Sequence, residues 1–449
     1  MPDADDAARR SASVVTTDPA PRTPGTTLAR RLGTGDAVVI GLGSMIGAGV
    51  FAAFAPAARV AGAALLIGLG VAAVVAYCNA TASAQLAAQY PTSGGTYVYG
   101  RERLGEWWGF LAGWGFVIGK TASCAAMALT FAAYAAPERW QRPVAVAAVV
   151  GLAAVNYRGV TRTARLTRVI VTFVLLVLAV VVAAGWFGAD ADIGRAAPAL
   201  EGEYGWYGLL QSAGLLFFAF AGYARIATMG EEVRDPERTI PRAIQIALGL
   251  TVAVYGVIAV TLLSVLGPEG VATTPTPLAA TVEASSWAWS EPVVRVGGAA
   301  AALGALLALI AGIGRTTLAM ARGGDLPSWF AAVHPRYRVP HHAEVALAVL
   351  VCCLVLTVDL RGAIGFSSFG VLLYYLVANV AAFTQDAAHR MFPRALQVLG
   401  GLGCAVLVAT LPLTSVAVGA VVFAAGIAYR LLRRRALRRH AEGHFTTDA

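Results

Sequence analysis

Gly41-Leu-Gly-Ser-Met-Ile-Gly-Ala-Gly49 is the stretch of sequence that decides the fold of this chain. It lies inside the first long apolar run and contains four glycines and one serine. A lone glycine at membrane depth is usually a packing residue, because small residues let helices approach one another closely. A cluster this dense favours a broken helix instead. Unwound backbone inside a membrane is tolerated only where it is buried in protein or lines a cavity.

The composition of the chain indicates that the lipid bilayer is its solvent. Hydrophobic residues make up 58% of the chain and charged residues 13%, against roughly 25% charged residues in soluble domains. A spanning helix needs about 20 mostly apolar residues. Twelve such runs occur, at roughly 36–57, 62–88, 107–133, 143–157, 166–187, 206–230, 241–266, 293–321, 343–358, 363–384, 395–411 and 414–432. They predict an all-α polytopic membrane protein with about 12 transmembrane helices.

The basic residues predict the orientation of these spans. Every basic residue except Lys120 is an arginine, and the arginines concentrate in alternate loops and near the C-terminus. Cytoplasmic loops carry this excess, so we expect a multi-pass protein of the cell inner (cytoplasmic) membrane with both termini in the cytoplasm. The net charge of +9 then indicates a membrane surface and not nucleic acid. Residues 1–35 lack an apolar signal core and predict a disordered cytoplasmic tail, and 433–449 predict a basic cytoplasmic tail.

A second candidate break lies in the sixth span, at Phe217-Phe-Ala-Phe-Ala-Gly-Tyr223, with Arg225 two residues further on. The two breaks are five spans apart. That spacing is expected if spans 1–5 and 6–10 are inverted-topology repeats, with a substrate site between their broken first helices.

Four ordered stretches resemble the amino acid–polyamine–organocation (APC) superfamily, specifically its bacterial amino acid permeases. The stretches are Gly43–Phe51; Tyr90–Tyr99 with Trp108–Trp114; Phe217–Tyr223 with Glu231–Pro236 and Ile240–Arg242; and Phe330–Tyr337. The resemblance implies a LeuT-like fold, with a ten-helix transport core over 36–385 and two peripheral helices over 386–432. It implies transport of an amino acid or related amine.

The resemblance and the two breaks together imply a substrate site. Amides at the start of a half-helix suit a carboxylate, and unwound carbonyls suit an ammonium. The implied substrate-binding residues are Gly41, Leu42, Ser44, Ile46, Gly47, Ala48, Gly49, Phe218, Ala219, Ala221 and Gly222. In the family, the aromatic at the position of Phe218 closes over bound substrate from outside. The alternative for Phe218 is a side chain that faces the core or the lipid.

Lys120 and Arg225 are the candidates for coupling. Lys120 lies midway along the third span, where an unpaired charge is costly and indicates a function. It can serve proton coupling, bind an acidic substrate side chain, or donate to backbone carbonyls. Proton-coupled relatives carry a lysine in the fifth helix, and none occurs at 166–187 here. Arg225 can face an acidic ligand or a cytoplasmic water path.

The remaining polar residues predict no catalysis, metal site or cofactor. The five cysteines lie in apolar stretches and are interpreted as small core residues. His334, His341 and His342 are interpreted as solvated loop residues. Glu231, Glu232 and Asp235 predict an ion-pair network with Arg234, Arg238 and Arg242, or else a cytoplasmic gate.

The sequence therefore predicts a secondary active transporter that works by alternating access, not an enzyme. No Walker A motif is present in this chain, which disfavours direct drive by ATP. Proton-coupled symport and exchange of amino acids or amines both remain open, and a membrane sensor on a transporter fold is the alternative from another class. The sequence does not identify the substrate.

Overall fold

The computed structural model describes residues 32–92, 94–159, 164–198, 205–230 and 232–445. These residues form an almost entirely helical structure. The first half contains α1 Thr34–Met45, α2 Ala48–Ala52, α3 Phe54–Ala61, α4 Leu65–Gln89, α5 Thr96–Leu104, α6 Glu106–Ala135, α7 Gln141–Tyr157 and α8 Ala164–Phe187. The second half contains α9 Gly205–Phe220, α10 Ala224–Ala227, α11 Pro236–Thr273, α12 Pro277–Glu283, α13 Glu291–Arg322, α14 His341–Thr357, α15 Leu360–Phe383, α16 Arg394–Thr410 and α17 Leu413–Phe445.

Each of the twelve predicted spans coincides with a helix or a broken helix. In the described part of the chain, nine helices are long and apolar enough to cross a membrane, and α14 and α16 are shorter apolar helices. The fourth predicted span forms α7, which has 17 residues. Pro412 separates α16 from α17 as the sequence predicts. The multi-span helical class is therefore confirmed, and the count of twelve spans remains a prediction.

The first span is broken where the glycine cluster predicts. Helix α1 ends at Met45, Ile46 and Gly47 leave the helical path, and α2 begins at Ala48. The interruption of the sixth span is smaller. Helix α9 ends at Phe220 and a single 3₁₀ turn over residues 221–223 leads into α10. A 3₁₀ turn keeps i→i+3 hydrogen bonds, so this break remains locally bonded.

Glycines let the two breaks pack against each other. A Cβ built on Gly222 would overlap the backbone of Ser44, and a Cβ on Gly49 would lie 2.7 Å from the Cα of Ala219. A Cβ built on Gly41 would lie 2.3 Å from the Cδ1 atom of Ile226. Gly49 and Gly222 are therefore required for backbone contact between the two broken helices.

At the predicted cytoplasmic side, the N-terminal end of α1 contacts two other parts of the chain. Residues 1–31 of the predicted tail lie outside the described residues, whereas Leu32 forms a β-bridge with Val233 and α1 already begins at Thr34. Asp36 pairs with Arg168 on α8. The tail predicted to start at residue 433 instead continues α17 as a helix.

The last helix is anchored by a buried ion pair. Arg430 of α17 lies 3.0 Å from the carboxylate of Asp325, and its guanidinium stacks over Trp107 and Phe110. The hydroxyl of Tyr97 donates to the same carboxylate at 3.0 Å. Burial raises the pKa of the Asp325 carboxyl, and the neighbouring Arg430 opposes that rise. This cluster joins α17 to the loop that follows α13.

Gly222→Ala should destabilise the protein, because the added methyl has to displace the backbone of Ser44. Overpacking of this kind costs about 1–3 kcal/mol. The matched control is Gly256→Ala on α11, where a Cβ meets nothing within 4 Å. We expect a lower apparent melting temperature in detergent for Gly222→Ala and an equal or higher one for Gly256→Ala. Equal melting temperatures for Gly222→Ala and the parent protein would contradict the contact.

Candidate substrate site

The cavity of interest has a volume of about 110 Å³ and lies where the two breaks meet. At about 30 Å³ per water molecule, this is room for about four water molecules. Its walls come from α1, α6, the sixth-span break and α13. Residues that line it include Ser44, Phe116, Lys120, Ser123, Met127, Phe218, Ala221, Gly222, Arg225, Thr228, Arg315 and Thr316.

The structure brings six of the predicted site and coupling residues to this cavity: Ser44, Phe218, Ala221, Gly222, Lys120 and Arg225. The other predicted substrate-binding residues do not line it: Gly41, Leu42, Ile46, Gly47, Gly49 and Ala219. Gly41, Gly47 and Gly49 pack against neighbouring helices instead. The side chain of Ala48 lies outside the described residues. The predicted set thus divides into residues that line the cavity and residues that do not, and among the latter Gly41 and Gly49 pack against the sixth span.

Side chains supply hydrogen bonds to the carbonyl groups at both breaks. The Tyr255 hydroxyl on α11 lies 2.5 Å from the carbonyl oxygen of Met45 and 3.0 Å from that of Ala219. It therefore bridges the first break to the sixth-span break. Backbone polar groups at membrane depth must find partners inside the protein, and the single O–H of Tyr255 lies within reach of one carbonyl on each broken helix.

Lys120 serves the sixth-span break in the same way. Its ammonium donates to the carbonyl oxygen of Ala221 at 3.2 Å, and the Tyr375 hydroxyl approaches that oxygen at 3.5 Å. The Lys120 side chain is 7% exposed. Of the three readings of Lys120, carbonyl donation is the one visible in this conformation. It leaves the other two open, because an ammonium has three donors.

The two ends of the cavity differ in exposure. Phe218 is 6% exposed and packs in an apolar cluster with Leu215, Ala302 and Leu306. At the opposite end Arg315 is exposed, and Arg225 and Thr316 are partly exposed. The cavity is therefore closed at the Phe218 end and accessible at the Arg225 end. By the predicted orientation, the accessible end faces the cytoplasm.

The ion pairs near Arg225 differ from the predicted network. Its guanidinium lies 3.5 Å from the Glu232 carboxylate and 3.3 Å from the Thr228 hydroxyl. The network was predicted to join Glu232 to Arg234, Arg238 or Arg242, whereas the Glu232 carboxylate pairs with Arg225 instead. Asp235 does pair with Arg238, at 4.0 Å. Glu231 lies outside the described residues.

Two further predictions need correction. His341 and His342 are the first residues of α14 and pack with His334, Tyr157 and Tyr337 in a ring cluster, and so are not freely solvated. Among the cysteines, Cys78, Cys124 and Cys404 are buried, but Cys353 is exposed on the surface of α14. No group of three His, Cys, Asp or Glu residues in the described segments could hold a metal ion.

Three site residues were missed from the sequence. Arg315 and Glu344 are charged residues inside predicted spans, which is a signal of function that could have found them. Glu344 is 3% exposed, packs against Gly314 of α13, and has one carboxylate oxygen with no hydrogen-bond partner among the described residues. Tyr255 gave no signal, since one tyrosine in an apolar helix is indistinguishable from a packing residue.

Comparison with known proteins agrees with this architecture. The family model for amino acid permeases matches residues 32–430. An uncharacterized transporter of Mycobacterium tuberculosis is 58% identical over 412 residues, covering 92% of this chain and 93% of that protein. Cationic amino acid transporter 4 of Homo sapiens is 30% identical over 378 residues, covering 78% of this chain and 59% of that protein. Chloroplastic cationic amino acid transporter 7 of Arabidopsis thaliana is 27% identical over 375 residues, covering 78% of this chain and 64% of that protein.

The chain belongs to the amino acid permease family. It is a multi-pass membrane transporter and not an enzyme, and its resemblance to the APC superfamily is confirmed.

Tyr255→Phe should destabilise the protein, because the carbonyls of Met45 and Ala219 lose the one donor that they share. Leaving a buried acceptor unsatisfied costs about 1–3 kcal/mol. Tyr207→Phe, which alters a tyrosine that is 55% exposed, is the control. We expect the apparent melting temperature to fall for Tyr255→Phe alone. An unchanged melting temperature would show that the hydroxyl does not support the breaks.

Proposed function

We propose that this protein is a secondary active transporter that moves an amino acid across the cytoplasmic membrane by alternating access, driven by proton symport. The observation that carries this proposal is a small cavity at the meeting point of two broken helices, closed at one end and accessible at the other. A substrate bound there would lie near the bilayer midplane, where transporters built from broken helices bind their substrates.

Alternating access requires a second state in which the Phe218 end opens and the Arg225 end closes. Helix α13 lines the cavity from Ala305 to Thr316, so rocking of the broken helices against α6 and α13 would expose either end in turn. Phe218 is the proposed gate at the closed end. The LeuT-like inverted repeat of ten core helices is part of this proposal. The implied role of the first half-helix amides in carboxylate binding also remains a proposal.

Two groups are candidates for binding and releasing the coupled proton. Lys120 lines the cavity, and Glu344 packs against Gly314 on the turn of α13 that carries Arg315. Arg225 also lines the cavity, but a guanidinium keeps its proton in proteins, so its role in coupling would be electrostatic. A buried carboxyl can bind and release a proton as its surroundings change between states. Its position on α14, beside a helix that lines the cavity, makes Glu344 our first choice. Amino acid exchange without protons is the second candidate mode of transport.

The transport assay uses the purified protein in proteoliposomes with a panel of radiolabelled amino acids. An inward proton gradient should raise the initial rate and the final level of uptake of the substrate, and a protonophore should remove that increase. Uptake that depends only on amino acid inside the vesicles would support exchange. Binding with no flux in either assay would overturn the transport proposal and favour a sensor.

Phe218→Ala should lower substrate uptake at least about tenfold while leaving membrane insertion intact, because the closed end of the cavity loses its largest apolar side chain. Phe187→Ala is the matched control, since Phe187 is 84% exposed at the end of α8. Uptake is measured at equal protein content per vesicle. Normal uptake by Phe218→Ala would rule out the gate.

Glu344→Gln should keep the shape of the side chain and remove its ability to ionise. We expect amino acid exchange to continue while uphill uptake driven by the proton gradient is lost. The control is Glu237→Gln, which alters an exposed residue at the start of α11. If gradient-driven accumulation by Glu344→Gln matched that of the parent protein, Glu344 would not be the proton-binding group.

A further inference from the structure

The charged residues that line the cavity all have the same sign. Lys120, Arg225 and Arg315 contribute three basic groups, and no described lining residue is Asp or Glu. The three residues come from three separate elements: α6, the segment after the sixth-span break, and α13. The cavity is therefore electropositive on several sides.

Internal partners neutralise only part of this charge. Arg225 pairs with Glu232 at 3.5 Å. In the part of the chain that the structure describes, neither Lys120 nor Arg315 has a carboxylate within 4.0 Å. Glu344 is a buried carboxyl that packs against Gly314 of α13. Arg315 is exposed and interacts electrostatically with Glu344, so Lys120 is the buried basic lining group that has no carboxylate partner among the described residues.

Lys120 has donors to spare. An ammonium offers three N–H donors, and one of them reaches the carbonyl oxygen of Ala221. The hydroxyls of Ser44, Thr228 and Thr316 donate back to carbonyls of their own segments, at 2.9, 2.9 and 3.3 Å. A buried charge is stabilised when it is paired and hydrogen-bonded. The remaining donors of Lys120 therefore suit acceptor oxygens that enter with a ligand.

We propose that the substrate is an acidic amino acid, whose second carboxylate binds at Lys120 within this electropositive cavity. This inference rests on the proposed transport function and names its substrate class. A cationic side chain in the same place would meet like charges in a region of reduced dielectric, where their repulsion is several times stronger than in water. The substrate preference inferred here is opposite to that in the names of the two cationic amino acid transporters.

Thermal stabilisation of the purified full-length protein tests this inference. L-Glutamate, L-aspartate, L-alanine and L-arginine are titrated separately, because a ligand that binds the native state raises its apparent stability. We expect stabilisation by glutamate or aspartate, with a half-saturating concentration at least about tenfold below that of arginine. Equal or stronger stabilisation by arginine or alanine would overturn the inference.

Lys120→Met should raise the half-saturating concentration of glutamate at least about tenfold, and Lys120→Arg should retain the preference for acidic over basic amino acids. Arg238→Gln removes an exposed arginine outside the cavity and should change nothing. Unchanged glutamate binding by a folded Lys120→Met protein would contradict the inference. If Lys120→Met does not fold, Lys120→Arg with a lost acidic preference would contradict it equally.

Counterflow in proteoliposomes separates failure of this inference from failure of the transport function. Vesicles loaded with glutamate should take up labelled glutamate by exchange, which needs no proton gradient and so is independent of coupling. Exchange of arginine or alanine without exchange of glutamate would overturn the substrate class alone. Absence of exchange for every amino acid in the panel would overturn both.

Discussion

The structure depends on one constraint: carbonyl groups at a helix break inside a membrane need hydrogen-bond donors from elsewhere in the protein. Tyr255 supplies one donor that the carbonyls of Met45 and Ala219 share, and Lys120 and Tyr375 supply donors to Ala221. Each buried acceptor left without a donor would cost about 1–3 kcal/mol. These side chains come from α11, α6 and α15, so the two breaks are held by the helices around them.

This constraint explains why the cavity contains a positive charge and hydrogen-bond donors. The donor that satisfies Ala221 is a lysine, and a lysine brings a positive charge and two further donors into a small buried space. Arg225 and Arg315 add charge of the same sign at the accessible end. The group that supports the sixth-span break is therefore also available to a substrate, which links the integrity of the break to occupancy of the cavity. Glycine contacts between the breaks, such as Gly222 against Ser44, keep that space small.

Hydropathy predicted the helices well, because the apolar runs are long and the loops between them are rich in arginine. The Gly41–Gly49 cluster predicted the first break correctly, because glycine destabilises a helix through the freedom of its backbone. The predicted substrate-site residues remain predictions, and only some of them line the cavity. Backbone pattern cannot show which face of a break is open, so Gly47 and Gly49 were grouped with Ser44 although they pack against other helices. Contributions from α13 and Tyr255 arise from tertiary packing of distant segments, which one sequence does not display.

The most direct test of the central claim is an experimental structure of the protein with the amino acid that the vesicles accumulate. The account predicts ligand density between the two helix breaks, beside Ser44 and Gly222, with an acceptor oxygen within hydrogen-bond distance of the Lys120 ammonium. The Ala221 carbonyl should keep a donor in that complex. Ligand density elsewhere with this cavity unoccupied, or a ligand that turns its ammonium toward Lys120, would contradict it.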